Sequence, residues 1–246
     1  MHRYQILIEY VGTNFVGWQI QSKGNSIQKL IQNKLSSILK EKISLVGSGR
    51  TDSGVHAIEQ SAHFDCKKTI LNLEKFLKSA NYFINKKDVS ILNIKKKNLN
   101  FHARFSAKQR IYEYIIFNRL SRPSLEKKRG WHIIKRLDVG LMKKGANKLL
   151  GTKDFSTFRS SSCSAKSPVR TINSIKIKSI TGRIEIQFQS QSFLQQQVRS
   201  MVGSLKYLAE KKWSLKKFDT VLKSKNRSLC APPAPAEGLF LKKVIY

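Results

Sequence analysis

Tyr4, Ile6, Ile8 and Tyr10 alternate with Gln5, Leu7 and Glu9, a period of two that predicts a strand near the start of the chain. Gly12-Thr13-Asn14 reads as the turn that follows. Phe15, Gly17, Trp18 and Gln19 then form a loop whose aromatic pair could pack on the core or stack on bases. Ser26 is a candidate N-cap. Behind it Ile27, Leu30, Ile31, Leu35, Ile38 and Leu39 recur at helical spacing, with Lys29, Lys34 and Lys40 left outside the apolar stripe. A short strand near Ile43 to Val46 and extended structure over Gln60 to Phe64 come next. Leu73, Phe76, Leu77 and Ala80 predict a second helix, and Val89, Ile91 and Ile94 a further strand, so the first part reads βαββαβ.

The second part repeats that order with insertions. Arg110 to Asn118 predicts a strand with Arg110, Tyr112, Tyr114 and Ile116 on one face. The basic stretch from Arg119 to Arg136 reads as loop. Asp138 caps a helix carrying Met142, Ala146 and Leu149, which Gly151 stops, and an irregular insertion follows to Pro168. Strands are expected at Ile172 to Ile177 and Ile184 to Phe188, joined by Thr181-Gly182-Arg183. Ser192 is expected to open a long helix with Phe193, Val198, Met201, Val202, Leu205 and Leu208 on its apolar face and Arg199 beside that face. A helix from Leu215 to Leu222, a proline-rich link at Ala231 to Pro235 and a closing strand from Gly238 to Tyr246 complete the pattern. The expected architecture is α+β: two ferredoxin-like βαββαβ halves, residues 1-105 and 106-246. Joined edge to edge they would form an extended, mostly antiparallel sheet with helices on one face and a central basic cleft.

Composition turns that fold into a candidate function. The chain of 246 residues holds 47 Lys and Arg against 15 Asp and Glu, a net charge of +32 spread along its length. Such a surface favours a polyanion, because neutralising phosphates releases counterions. Nucleic acid leads and an anionic membrane comes second, since no apolar run approaches a bilayer span. Met1-His2-Arg3 runs straight into the first strand, so no secretory leader is expected and the location reads as cytoplasmic. Cys66, Cys163 and Cys230 are odd in number and scattered, which fits neither a disulfide framework nor a zinc site.

The stretch from Gly47 to Ala57, G-S-G-R-T-D-S-G-V-H-A, concentrates the candidate chemistry. Gly47, Gly49 and Gly54 bracket one carboxylate, Asp52, in what should be a tight exposed loop. Arg50 could pair with that carboxylate or grip a phosphate. The competing reading is an ordinary turn in which Asp52 bonds its own backbone. Phe101-His102-Ala103-Arg104-Phe105 places a histidine and an arginine beside aromatics that could line a groove, although His102 also fits a structural role. A metal-dependent nuclease would need clustered carboxylates, whereas Asp52, Asp65, Asp138 and Asp154 lie far apart in sequence. A non-catalytic basic RNA-binding protein would share the charge and the scattered aromatics.

G-R-T-D-S-G-V-H-A resembles the G-R-T-D-A-G-V-H-A signature of the tRNA pseudouridine synthase A family. Six further stretches are similar to that family in the same order: I-E-Y-V-G-T-N-F-V-G-W-Q, F-H-A-R-F-S-A, R-I-Y-E-Y, D-F-S-T-F-R, F-L-Q-Q-Q-V-R-S-M-V-G and A-E-G-L-F-L-K-K-V-I-Y. The resemblance implies isomerisation of uridine to pseudouridine in the anticodon stem-loop of tRNA, at positions 38, 39 and 40, by a homodimer that uses neither cofactor nor metal. It makes Asp52 the nucleophile, Arg50 the residue that takes the flipped nucleotide's place, and Tyr112 the tyrosine that stacks on uracil and assists proton removal. Arg199 matches the arginine that pairs with the aspartate, and Leu239 and Leu241 the apolar wall of the uracil pocket. His56, His102, Arg104 and Arg110, inside the matched stretches or beside Tyr112, join the expected substrate-binding set. Ser53 stands where the family has alanine, and Gln196-Gln197 where it commonly has His-Met, which bears on the packing around Arg199.

Overall fold

The alternation at the start of the chain becomes strand β1, His2–Tyr10, in the computed structural model, which describes residues 1–84 and 88–246. The chain forms two compact units, Met1–Lys108 together with Phe240–Tyr246, and Gln109–Leu239. In the first unit the Ser26 hydroxyl accepts from the Lys29 N–H and starts helix α1, Ile27–Leu39, which Lys40 ends in the left-handed region at φ 53°. Strand β2, Leu45–Gly47, strand β3, His56–Cys66, helix α2, Leu73–Ile84, and strand β4, Val89–Lys97, follow in the predicted order. β1 lies between β4 and β3, antiparallel to both, with Ile6 opposite Ala62 and Ile94. β2 runs antiparallel along one stretch of β3, and the closing strand, Leu239–Ile245, runs parallel to another, pairing Phe240 with His56 and Leu241 with Ala57. Tyr4, Ile6, Ile8 and Phe64 of the sheet, Ile27, Ile31 and Leu35 of α1, and Ala80 and Ile84 of α2 form its buried core.

One buried group in this unit ties stability to pH. His63 on β3 is only 4% exposed, and its Nδ1 accepts from the Ala103 N–H at 3.1 Å. Burial, and then the charge of Arg3, lower its pKa from 6.5 to about 4. The folded chain keeps His63 neutral where the unfolded chain would protonate it, so its contribution is complete above about pH 6.5 and is lost as pH falls towards about 4. That loss is ~3 kcal/mol. The melting temperature should therefore drop across this window, before the carboxylate of Asp65 titrates, and the drop should flatten in His63→Gln.

In the second unit the predicted strand is β5, Gln109–Phe117, joined in parallel by the two-residue β6, Trp131–His132. The Asp138 carboxylate accepts from the Leu141 N–H at 2.9 Å and caps α3, Val139–Leu149. β7, Gly151–Asp154, β8, Val169–Ile180, and β9, Arg183–Ser190, add antiparallel pairs in the order β5, β9, β8, β7. Helices α4, Gln197–Ala209, and α5, Leu215–Lys223, pack with α3. The α+β class and the mostly antiparallel pairing match the expectation from sequence.

Three details differ from it. β6 and β7 occupy segments that read as loop, because strands of two and four residues pair through their backbones and are too short to show an apolar alternation. Helix α4 does not open at Ser192. The Ser190 hydroxyl donates to the Ser192 carbonyl at 2.8 Å, the Ser160 N–H donates to the Gln195 carbonyl at 2.9 Å, and Gln196 takes a left-handed φ of 60°. Residues 192–196 are thus tied to neighbouring segments, and the helical ladder begins only at Gln197.

Candidate active site

The glycines in and around the Gly47 to Ala57 loop are needed where chain crosses chain. Asp52 to Val55 form a turn in which the Val55 N–H donates to the Asp52 carbonyl at 3.1 Å, and Gly54 takes the φ of +78° that the turn's third position requires. Around this turn several neighbours are held. The Ser48 N–H donates to the Ser61 carbonyl at 2.8 Å, the Gln60 amide donates to the Gly49 carbonyl at 2.8 Å, and the Ser53 hydroxyl donates to the Phe15 carbonyl at 3.1 Å. The Trp18 N–H donates to the Thr51 carbonyl at 3.1 Å, while Tyr10 and Thr51 share a hydroxyl hydrogen bond of 2.8 Å. Gly12 approaches so closely that a Cβ there would lie 2.0 Å from the Val55 carbonyl oxygen.

This frame leaves Asp52 half-buried and Arg50 exposed. A carboxylate whose backbone is fixed on both sides loses little further freedom when it reacts, which suits a nucleophile. Trp18 is 3% exposed and lies against Gly47, so the first aromatic loop is a packing element. His56 is 1% exposed; its Nδ1 accepts from the Gly12 N–H at 3.0 Å and its ring lies 4.8 Å from that of Phe240. His56, at the start of β3, therefore joins the turn after β1 to the closing strand. Ser53, in the family's alanine position, is exposed and disturbs nothing in the turn.

The second unit holds a different set. Tyr112 is 7% exposed, stands opposite Phe188 of β9 and meets Phe193 edge-on with ring centres 5.2 Å apart. Arg110, two residues before it, is buried and its guanidinium donates to the Gln191 carbonyl. Arg199 lies in the first turn of α4. Its Nε donates to the Ala234 carbonyl at 2.7 Å and its carbonyl accepts from the Ala234 N–H at 2.9 Å, so the proline-rich link orients the guanidinium. The Tyr114 hydroxyl donates to the neighbouring Pro235 carbonyl at 2.8 Å, and burial raises this phenol well above its usual range against the opposing charge of Arg199. Gln197 is buried, with its side-chain oxygen accepting from the Leu194 N–H at 2.8 Å, so the departure before Arg199 closes the start of α4. Leu239 and Leu241 are both buried, at the end of the second unit and in the first unit respectively.

The segment with His102 and Arg104 folds as a hydrogen-bonded turn in the first unit. His102 Nδ1 accepts from the N–H groups of Arg104 and Phe105 at 3.2 and 3.3 Å, which makes the imidazole a cap for its own turn. Burial and the charges of Arg3 and Arg104 lower its pKa, consistent with a neutral acceptor. Ser48, Thr51 and Gln60, the polar residues that shape the Asp52 loop, went unnoticed in the sequence. Gln60 lies on a strand and Thr51 within the matched signature, but neither position announces a partner. Cys66, Cys163 and Cys230 are free thiols. Among the described residues no group of three or more His, Cys, Asp or Glu could hold a metal ion, and no helix is long and apolar enough to cross a membrane.

A family model described as tRNA pseudouridine synthase matches residues 6–106 and 146–246. The chain is 78% identical over 246 residues to tRNA pseudouridine synthase A of Pelagibacter ubique, covering all of both chains. It is 41% identical over 248 residues to that of Sinorhizobium medicae and 39% identical over 246 residues to that of Parvibaculum lavamentivorans, again over the full length of each. With the family pattern running through both units and relatives matching end to end, the chain belongs to the tRNA pseudouridine synthase family.

Proposed function

We propose that this enzyme converts uridine to pseudouridine in the anticodon stem-loop of tRNA, at positions 38, 39 and 40, with Asp52 as its nucleophile. The observation that carries the reading is the placement of Asp52 on a turn anchored by hydrogen bonds to the carbonyls of Gly49, Thr51 and Asp52 itself, inside the signature shared with the family. Moving uracil from a nitrogen to a carbon linkage on the same ribose is neither redox nor transfer to a second molecule. It asks for a positioned nucleophile and proton transfers, not for a metal or cofactor. The reacting base must leave its stack, at a cost of a few kcal/mol that phosphate contacts offset. Arg50 then fills the vacated place, Tyr112 stacks on the uracil, Arg199 pairs with the Asp52 carboxylate, and Leu239 and Leu241 wall the base. His56 supports the loop from beneath, while His102, Arg104 and Arg110 contribute to tRNA binding. Each half is read as a ferredoxin-like unit from the order of its elements, the homodimer comes from the family resemblance, and the enzyme is read as acting in the cytoplasm with its tRNA substrate.

The test is incubation with tRNA carrying tritium at carbon five of uracil. Isomerisation releases that label to water, whereas a non-catalytic RNA-binding protein leaves it in place. With a net charge of +32, affinity for tRNA should also depend steeply on salt and little on tRNA sequence. Contact with six or so phosphates predicts a loss of about 10³ in affinity between 50 and 200 mM salt. A binding constant that stays level in filter-binding assays across that range would contradict phosphate-dominated recognition.

A further inference from the structure

The rings of the 101–105 segment do more than fill space. Tyr246 lies 4.8 Å from Phe101, Phe101 6.2 Å from His63, His63 4.8 Å from His102, and His102 is stacked on Phe105 at 4.4 Å. This ladder begins just past the closing strand and ends on a ring that is 76% exposed. Its base is fixed. The Tyr246 hydroxyl lies 2.7 Å from the Ser61 hydroxyl and 2.8 Å from the Ala103 carbonyl, and Arg3 holds Asp65 through two nitrogens while donating to the carbonyls of Leu99 and Phe101. Its tip is fixed too, by the two N–H groups that His102 Nδ1 accepts and by the Ser106 hydroxyl, which accepts from the His102 N–H at 2.9 Å.

The core gains nothing from a rigidly presented phenyl ring in water. A partner with flat faces does, because a preformed platform costs little conformational entropy on binding. The surroundings choose which partner. From Asp88 to Gln109 the chain holds no other acidic residue, while Lys95, Lys96, Lys97, Arg104 and Lys108 fall in this interval. The Arg104 guanidinium lies 5.6 Å from the Phe105 ring centre, and the Lys97 ammonium 5.2 Å from that of Phe101. Aromatic rings interleaved with cations are what a single-stranded nucleotide requires, stacking for its base and charge for its phosphate.

We infer that Phe105 is a stacking platform for one unpaired base of the RNA substrate, in the first unit and separate from the Asp52 turn. The identity of the partner rests on the tRNA reading above. The test measures affinity for an unmodified tRNA transcript by fluorescence anisotropy for the parent protein, Phe105→Ala, Phe105→Leu and Phe105→Tyr, each at several salt concentrations. Because Phe105 is exposed, its removal leaves the core intact. Phe105→Ala and Phe105→Leu should each weaken binding by about 5- to 150-fold, the range for loss of one stacked base, with an unchanged slope against salt. Phe105→Tyr should bind like the parent. If Phe105→Leu equals the parent, or Phe105→Ala loses nothing, the platform does not exist. If Phe105→Ala instead changes the oligomeric state in sedimentation with RNA affinity intact, the ring serves a protein contact and the inference is overturned. Tritium release by the parent protein is scored separately, so a failed enzyme reading would appear there while the affinities still decide the platform. A parent protein that binds no tRNA would sink both.

Discussion

Asp52→Ala protein is expected to bind tRNA within about tenfold of the parent and to form no pseudouridine. Affinity should persist because phosphate contacts dominate it and the substitution removes no cation. Chemistry should vanish because the nucleophile is gone and the loop offers no second carboxylate; the next acidic residues along the chain are Glu41 and Glu59. The turn itself should survive. It is held by the backbone groups of Asp52 and Val55 and by the partners of Thr51, Ser53 and Gln60, none of which requires the Asp52 side chain. Loss of a negative charge from a strongly basic protein favours the polyanion, so any change in affinity should be towards tighter binding. The decisive measurement is tritium release by a variant whose melting curve and tRNA affinity match the parent. Label released at the parental rate would make Asp52 a turn residue and nothing more.

Tyr112→Phe should retain tRNA binding and lose turnover by about 10²–10⁴, the usual contribution of a positioned proton-transfer group. The substitution is a clean one here. Phe193 lies edge-on to the ring and Phe188 sits across the strand pair, so phenylalanine keeps both packing contacts and deletes only the hydroxyl. Single-turnover rates at saturating tRNA separate the two roles given to this residue. A slower chemical step with unchanged binding assigns the hydroxyl to proton transfer. An unchanged step leaves stacking as the only function of the ring, and the proton must then be removed by another group.

What could be read in the sequence was what is local. Ser26 and Asp138 announced their helices because a side chain at the cap satisfies an N–H three residues on, and both do so. β1 was legible from its period of two. Ser192 misled because a serine before an apolar run is a good cap in isolation, and only the hydrogen bonds of Ser190 and Ser160 show that the backbone is already committed. The Asp52 turn was visible as glycines around a carboxylate, but its rigidity was not. Tyr10 meets Thr51 across 41 positions and Gly12 meets His56 across 44, and no window on the sequence contains both partners. In the second unit the pattern placed Arg110 and Tyr112 on one strand face and Arg199 beside a helix's apolar face, but the roles of Tyr112 and Arg199 came from resemblance. Nothing near Arg199 in sequence points to Ala234, 35 residues away, as the group that aims it.

The closing strand has a consequence for how the protein comes into being. The unit that carries Asp52 is interrupted by all of Gln109–Leu239 and resumes only at Phe240. At a synthesis rate of ~5–20 residues per second, the intervening roughly 130 residues take about 7–26 s to emerge. Throughout that interval the His56–Ala57 edge of β3 lacks its parallel neighbour, the His56 ring lacks Phe240, and Ser61 and Ala103 lack the Tyr246 hydroxyl. The first unit stays one strand short while the second is made, and the Asp52 loop reaches its final support only when Phe240 to Tyr246 slot home.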